Sequence, residues 1–250
     1  MRSFEGCVAL ITGAGSGIGR ATACTMARGG AHVAIVDRNR EGADETADLI
    51  AKEGGISRVW TGDVTDYEGI ARIVHLVEEA FGKIDILVNN AGVASDRCPL
   101  EEVTPEMFER SMRVHIGGTI FTTQSVLPGM KNRAAGVIVN LSSIQGQIGY
   151  PNGATYNAAK GGILALTTGW AKEFAPWKIR VNAVAPGHCL TPMPLAFDSP
   201  EVIAAKEQTI PLKRYGQPED MANAISYLAS CEASFVTGQI ISPNGGFQMT

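Results

Sequence analysis

Cysteine is sparse in this chain and badly placed for cross-linking. The five thiols, Cys7, Cys24, Cys98, Cys189 and Cys231, are odd in number and include no C-x-x-C pair, so neither a disulfide framework nor a zinc site is indicated. They read as small core fillers. Long apolar runs are missing as well, since no stretch approaches the roughly 18 residues that a membrane helix needs. Met1-Arg2-Ser3-Phe4-Glu5 leads straight into the first strand without a secretory signal, and the expectation is a cytoplasmic protein. Charge of one sign is also lacking. With 21 basic and 25 acidic side chains the net charge is -4, which gives no electrostatic reason to expect nucleic acid or an anionic membrane as partner. No repeat or low-complexity linker divides the chain. What is present, 250 residues of which 45% are hydrophobic, is ample for one large core and is read as a single domain over 1–250.

Short β-branched runs alternate with longer amphipathic ones. Strands are predicted over 7–11, 31–36, 58–61, 84–88, 136–141, 179–184 and 238–241, and helices over 20–28, 40–53, 67–81, 105–127, 152–174 and 218–230, from their periods of two and 3.6. Thr104 ahead of Pro105 is one of several helix start signals. The alternation implies a parallel sheet with helices on both faces, an α/β architecture. In such sheets ligands gather at the carboxyl ends of the strands, where the winding reverses.

Residues with chemistry cluster at those ends. Thr12-Gly13-Ala14-Gly15-Ser16-Gly17-Ile18-Gly19 joins the first strand to the first helix. Glycines there permit a tight turn and close approach of a ligand, and the unpaired N–H groups of the helix start face an anion such as pyrophosphate. The strict G-x-G-x-x-G spacing is not met, because Ile18 and Arg20 stand where its last glycine would fall. The second strand ends on Asp37, roughly 20 residues past the glycines, where a carboxylate accepts from the ribose hydroxyls of NAD and opposes the 2′-phosphate of NADP. NAD is therefore the expected cofactor, with NADP disfavoured, and neighbouring Arg38 is read as a surface charge. Asp63, Asn89-Asn90-Ala91-Gly92, Ser142-Ser143 and Pro186-Gly187 follow the next four strands.

Tyr156 and Lys160 lie four apart near the start of a helix, which sets phenol and ammonium on one face. A fixed cation beside a tyrosine is expected to favour the phenolate and bring its pKa toward the working range. Ser143 is placed to hydrogen-bond a substrate oxygen next to that phenol. No metal is called for.

With these residues in view, the chain resembles the short-chain dehydrogenase/reductase family along its whole length. The likeness rests on residues 12–19 for the family's TGxxxGxG, on Asn89-Asn90-Ala91-Gly92 for NNAG, and on Ser143, Tyr156 and Lys160 at the family's spacing, completed by Pro186-Gly187 and Thr191. It implies a doubly wound seven-stranded parallel Rossmann sheet in three α/β/α layers, usually in a homotetramer. It places Asp63 and Val64 near adenine and Asn90 near the adenosine ribose. Lys160 would bond the nicotinamide ribose as well as tune Tyr156, and the Cys189 backbone and Thr191 hydroxyl would meet the carboxamide. The cofactor-binding set is thus Gly13, Gly15, Ser16, Gly17, Ile18, Gly19, Asp37, Asp63, Val64, Asn90, Gly92, Tyr156, Lys160, Cys189 and Thr191.

One departure stands out. Where the family usually has an asparagine that helps hold a proton-relaying water, Arg113-Val114-His115-Ile116-Gly117 offers His115. Two readings stay open: His115 preserves the relay in altered form, or it is a buried histidine satisfied by backbone. His32, His75 and His188 are read as structural, with His188 at the edge of the substrate pocket. That pocket is expected from 93–100, 144–150 and a substrate loop at about 188–208. Ile144, Ile148, Tyr150, Met193, Leu195 and Phe197 would supply apolar surface, and Gln145, Gln147 and His188 polar groups. A medium-sized, partly apolar alcohol or ketone follows. The last segment, with Pro192 and Pro194, is read either as a lid or as a fixed loop. The expected activity is NAD-dependent interconversion of a secondary alcohol and a ketone. The alternatives are a 3-oxoacyl-thioester (acyl-carrier-protein) reductase and, from another class, a non-catalytic dinucleotide-binding protein.

Overall fold

In a strand buried on both sides, successive side chains must serve two different cores. The strand Val8–Thr12 does so: Ala9 and Ile11 enter one cluster, and Val8 and Leu10 the other. Val33 and Ile35 oppose Ala34 and Val36 in the next strand in the same way. The computed structural model describes residues 3–94, 96–195 and 197–249. Met1 and Arg2 of the N-terminal reading, Ser95 and Ala196 of the substrate segments, the Pro194 side chain, and Thr250 lie outside the described residues.

In chain order the elements are β1 (Val8–Thr12), α1 (Gly17–Arg28), β2 (His32–Asp37), α2 (Arg40–Lys52), β3 (Ile56–Thr61), α3 (Tyr67–Phe81), β4 (Ile86–Asn89), α4 (Pro105–Met112), α5 (Gly118–Arg133), β5 (Gly136–Leu141), α6 (Ile144–Ile148), α7 (Ala154–Phe174), β6 (Ile179–Val184), α8 (Pro192–Leu195), α9 (Pro200–Thr209), α10 (Pro218–Ala229) and β7 (Ile240–Ile241). The strands form one seven-stranded sheet in the order β3-β2-β1-β4-β5-β6-β7, and every pairing in it is parallel. This is the doubly wound Rossmann arrangement. Met26, Ile50 and Leu228, from α1, α2 and α10, cover one face; Val77, Met130 and Phe174, from α3, α5 and α7, cover the other. Each such side chain contributes about 1.5–3 kcal/mol when fully buried. The winding reverses between β1 and β4, which lie side by side although two strands separate them in sequence. That is where a ligand crevice belongs.

Helix starts follow local chemistry. The side chains of Asn39, Asp66, Thr104 and Ser199 accept from backbone N–H groups at the first turns of α2, α3, α4 and α9, filling donors that a helix leaves unpaired.

Three differences from the sequence expectations bear on function. The helix expected over 105–127 is two helices joined by a π-helical turn, Arg113–Gly117, which contains His115. The second of them passes Pro128 and continues to Arg133, whose guanidinium donates to Ile84 O at 2.6 Å and ties the helix end to the approach of β4. The segment 188–208 is not a plain loop, because it holds α8 and most of α9. Among the described residues, no helix is long and apolar enough to cross a membrane.

Candidate active site

The C-terminal ends of β1, β2, β4, β5 and β6 open into a cavity of about 590 Å³. Its first half is shaped by glycine. Gly13 and Gly17 adopt φ of +65° and +52°, a region a Cβ disfavours. A Cβ on Gly13 would lie 2.8 Å from Ala91 Cα, and one on Gly19 would lie 2.1 Å from Gly13 O. The turn therefore packs backbone on backbone. Thr12 Oγ1 accepts from the N–H groups of Asn90 and Ala91, both at 3.1 Å. Asn90 Nδ2 donates to the carbonyls of Thr12 and Gly13, both at 2.9 Å. The loops after β1 and β4 are thus locked together, and the start of α1 faces the cavity through Ser16, Gly17 and Ile18. No acidic side chain sits in the first turn of α1, and Ser16 makes no side-chain cap, so the helix N-terminus is left for an anionic ligand.

Asp37, at the tip of β2, accepts from Gly15 N at 2.8 Å through Oδ2 and from Asn39 N at 2.9 Å through Oδ1. Two fixed donors hold its carboxylate at the cavity edge, with Arg38, Asp63 and Val64 also on the wall. Gly15 and Gly19 support the turn from behind rather than lining it.

The second half centres on β5 and α7. Ser143 caps α6 through its hydroxyl, which accepts from Gln145 N at 3.1 Å. Lys160 is 4% exposed, and its ammonium donates to Leu141 O at 2.7 Å and lies 5.7 Å from the Tyr156 ring centroid. Ser142 Oγ donates to Lys160 O at 2.7 Å, so two bonds fasten this turn of α7 to the end of β5. His115 stands edge-on to Tyr156, with ring centroids 5.3 Å apart and planes at 87°. Its Nε2 lies 3.1 Å from Val93 O, while Nδ1 is buried without a partner among the described residues. Gly92 makes room for that ring, since a Cβ there would be 2.8 Å from His115 Cε1.

Electrostatics corrects one expectation. Burial pushes the Tyr156 phenol up to about 12, with the Ser143 hydrogen bond working the other way. Burial also pulls Lys160 down to about 7. The expected lowering of the phenol by the lysine is not found: desolvation dominates, and the ammonium is turned to Leu141 O. His115 is held well below 6.5 by burial first and then by the Lys160 charge, which makes it a neutral imidazole at physiological pH.

Cys189 and Thr191 line the cavity beside Pro186 and Gly187. Of the expected substrate-pocket residues, Tyr150, Met193, Phe197, Gln145 and His188 line it. Ile148 and Leu195 are 42% and 54% exposed, Ile144, the first residue of α6, is buried, and Gln147 lies off the wall, so those four do not. Arg97, Asp198, Lys206 and Tyr215 line the cavity and were not singled out from sequence. Arg97 stands 101 residues before Asp198 and the four match no motif, so only folding brings Arg97 to the others.

The glycine turn, the Asp37 edge and the phenol-lysine end lie along one cavity, which suits a dinucleotide with its pyrophosphate on α1. A family sequence model described as enoyl-(acyl carrier protein) reductase matches residues 13–248. The chain belongs to the short-chain dehydrogenase/reductase family. It is 41% identical over 97% of its length to the 3-oxoacyl-[acyl-carrier-protein] reductase of Thermotoga maritima, of which it covers 98%. It is 40% identical, with 98% of each chain covered, to the cis-4-hydroxycyclohexanecarboxylate dehydrogenase of Sinomonas cyclohexanicum. Its fold superposes with a TM-score of 0.93 on a 3-ketoacyl-(acyl-carrier-protein) reductase from Brucella melitensis complexed with NADH, at 37% identity over 99% of this chain and 100% of that one.

The buried lysine has a consequence for stability. Below about pH 7 Lys160 is charged both folded and unfolded, and its burial costs in full. Between about 7 and its ordinary 10.5 only the unfolded chain binds the proton, so stability climbs with pH. Urea unfolding without cofactor at pH 7 and 9.5 should show a gain on the order of a few kcal/mol from this group. The gain should vanish in Lys160→Met; an equal gain in both proteins would contradict the assignment.

Proposed function

We propose that this short-chain dehydrogenase/reductase is a NAD-dependent oxidoreductase that interconverts a secondary alcohol and a ketone. The observation that carries the proposal is the meeting of Ser143, Tyr156 and Lys160 in one cavity whose other end is the glycine turn and the Asp37 carboxylate. When bound, the nicotinamide accepts a hydride from the carbinol carbon or returns one to the carbonyl.

The residues divide the remaining work. Ser143 holds the substrate oxygen by hydrogen bonding, as its contact with Tyr156 places the two hydroxyls together. Tyr156 takes the carbinol proton at Oη, or gives it back. A phenol pushed upward by burial is a poor base alone, so Lys160 must leave Leu141 O, or share its protons, to stabilise the phenolate. With a pKa near 7 it is poised to exchange a proton in the working range. Gly13, Ser16, Gly17 and Ile18 take the pyrophosphate, Asp37 the adenosine ribose, and Cys189 and Thr191 the carboxamide.

A 3-oxoacyl-thioester reductase is the second reading, favoured by the likeness to the Thermotoga maritima enzyme. Asp37 argues for NAD in either case: its carboxylate, already fixed by two N–H groups, would have to accommodate the 2′-phosphate of NADP. A binding protein without turnover is disfavoured by the presence of both Tyr156 and Lys160 in the cavity. The proposal includes one domain over 1–250, a homotetramer, from family resemblance, and a cytoplasmic location.

An NADH-formation screen over cyclic, steroid, polyol and aryl alcohols and 3-hydroxyacyl thioesters tests the reaction. Tyr156→Phe should lower kcat/KM for any accepted alcohol by at least ~100-fold while NAD still binds; turnover within a few-fold of wild type sinks the mechanism. NAD should be preferred over NADP by about 100-fold or more in kcat/KM, equivalent to ~2.7 kcal/mol, and Asp37→Ser should cut the preference at least tenfold. A clear preference of the wild type for NADP would reverse the assignment.

His115 tests the relay. Its unpartnered Nδ1 beside Tyr156 suits acceptance of a hydrogen bond from a proton-carrying water. His115→Asn should move the apparent pKa of the kcat/KM profile. An unchanged profile would leave His115 as a packing residue held by Val93 O.

A further inference from the structure

The part of the cavity wall formed by the loop after β4 and by the 188–208 segment is rich in donors. Arg97 Nη1 donates to Asp198 Oδ1 at 2.7 Å, and Lys206 Nζ, on α9, donates to Asp198 Oδ2 at 2.6 Å. The Asp198 side chain is 5% exposed, so its charge is spent on these two partners. The three groups sum to one positive charge. His188 adds none, since burial and then Lys206 hold its pKa below 6.5.

Unused donors outnumber acceptors. A guanidinium has five N–H groups and an ammonium three, and among the described residues each of these cations spends only one on Asp198. Tyr215, 1% exposed, stacks on His188 with ring centroids 5.2 Å apart and planes at 11°. Its hydroxyl is buried without a partner among the described residues, as is His188 Nε2. An unpaired buried polar group costs about 1–3 kcal/mol. Both oxygens of Asp198 are engaged, so a ligand oxygen at this wall meets spare donors on Arg97 and Lys206 beside a Tyr215 hydroxyl that has no partner among the described residues. A single negative charge matches the net charge of the wall, whereas a doubly charged phosphate would meet Asp198 with excess repulsion. Tyr150, Met193 and Phe197 supply apolar surface on the same wall.

We propose that this enzyme selects substrates that carry a carboxylate remote from the reacting carbinol, seated on Arg97, Lys206 and the Tyr215 hydroxyl. The proposal rests on the oxidoreductase reading and narrows its substrate class to hydroxy acids and oxo acids with a compact apolar body.

The test separates binding from turnover. 4-Hydroxycyclohexanecarboxylate and its methyl ester are titrated calorimetrically into the full-length protein saturated with NADH, where no net oxidation proceeds. The acid should bind at least tenfold tighter than the ester. Arg97→Gln and Lys206→Gln should each shrink that margin to within threefold, and Asp198→Asn should keep or widen it. Equal affinity for acid and ester in the wild type overturns the proposal. So does a set of variants, Asp198→Asn included, that weakens both ligands alike, since the cluster is then only a latch for the segment. If the margin holds but no alcohol yields NADH with NAD, the anion site stands and the oxidoreductase reading is what fails.

Discussion

A buried ammonium held by the end of a strand is the constraint on which this site depends. Lys160 lies almost wholly out of solvent and donates a hydrogen bond to Leu141 O, the last carbonyl of β5. A charge in such a place is unstable unless donors and acceptors are in register. The register comes from α7 being fixed to β5 at that same turn by Ser142, and from α6 pressing close at Gly146, where a Cβ would be 2.5 Å from the Lys160 backbone. A second set of polar bonds steadies α7 further along. Asn89 donates to Thr123 and to Asn140, Asn140 to Thr167, and Thr167 to Ile163 O, all at 2.8–3.0 Å. Asn89 and Asn140 are register partners on β4 and β5, so the chain of amides crosses the sheet just where the helix must not slide. Burying amides rather than leucines costs hydrophobic stabilisation, and what it supplies is one permitted position for α7.

That fixed position sets two unlike walls in one cavity. Toward β1 and β2 the wall is backbone and short side chains: glycines, Ser16 and an aspartate oriented by two N–H groups. Such a surface fits one rigid, anionic ligand and little else. Toward β5 and β6 the wall is made by segments that follow the strands, and it carries Arg97 from the loop after β4 and Asp198 and Lys206 from the 188–208 segment. In the proposed reading, phosphate recognition resides in the strand-to-helix turn itself, and substrate recognition in segments that the sheet merely anchors.

The fold was legible because each strand repeats one signal. Apolar residues on both faces of 136–141 and 179–184 gave strand limits identical to those of β5 and β6, and the glycine turn, Asp37 and the Tyr156-Lys160 pair were visible as local patterns. What escaped was non-local. The wall formed by Arg97, Asp198, Lys206 and Tyr215 depends on the path of 188–208, where prolines at 192 and 194 suggested a loop and the chain makes two helices, with Ser199 and Pro200 starting the second. The direction of the tyrosine shift also escaped, because spacing along a helix reports that two groups are neighbours and says nothing of how much water each has lost.

The π turn shows a local deviation serving the site. Buried positions 111, 115 and 119 recur every fourth residue across it, whereas in an unbroken α-helix a step of four drifts by about 40° from the axis line. A wider turn absorbs that drift. Ser111 and Thr119 can therefore stay inward while His115 reaches the cavity between them. The following residues permit it: a Cβ on Gly118 would lie 2.8 Å from Val64 Cγ2, so α5 approaches the loop after β3 only because that side chain is absent. Val64 in turn lines the dinucleotide half of the cavity. The helix that presents His115 to Tyr156 is thus braced against the wall expected to hold the adenine. A larger residue at 118 would press on both ends of the site at once, by moving Val64 outward or His115 away from the phenol.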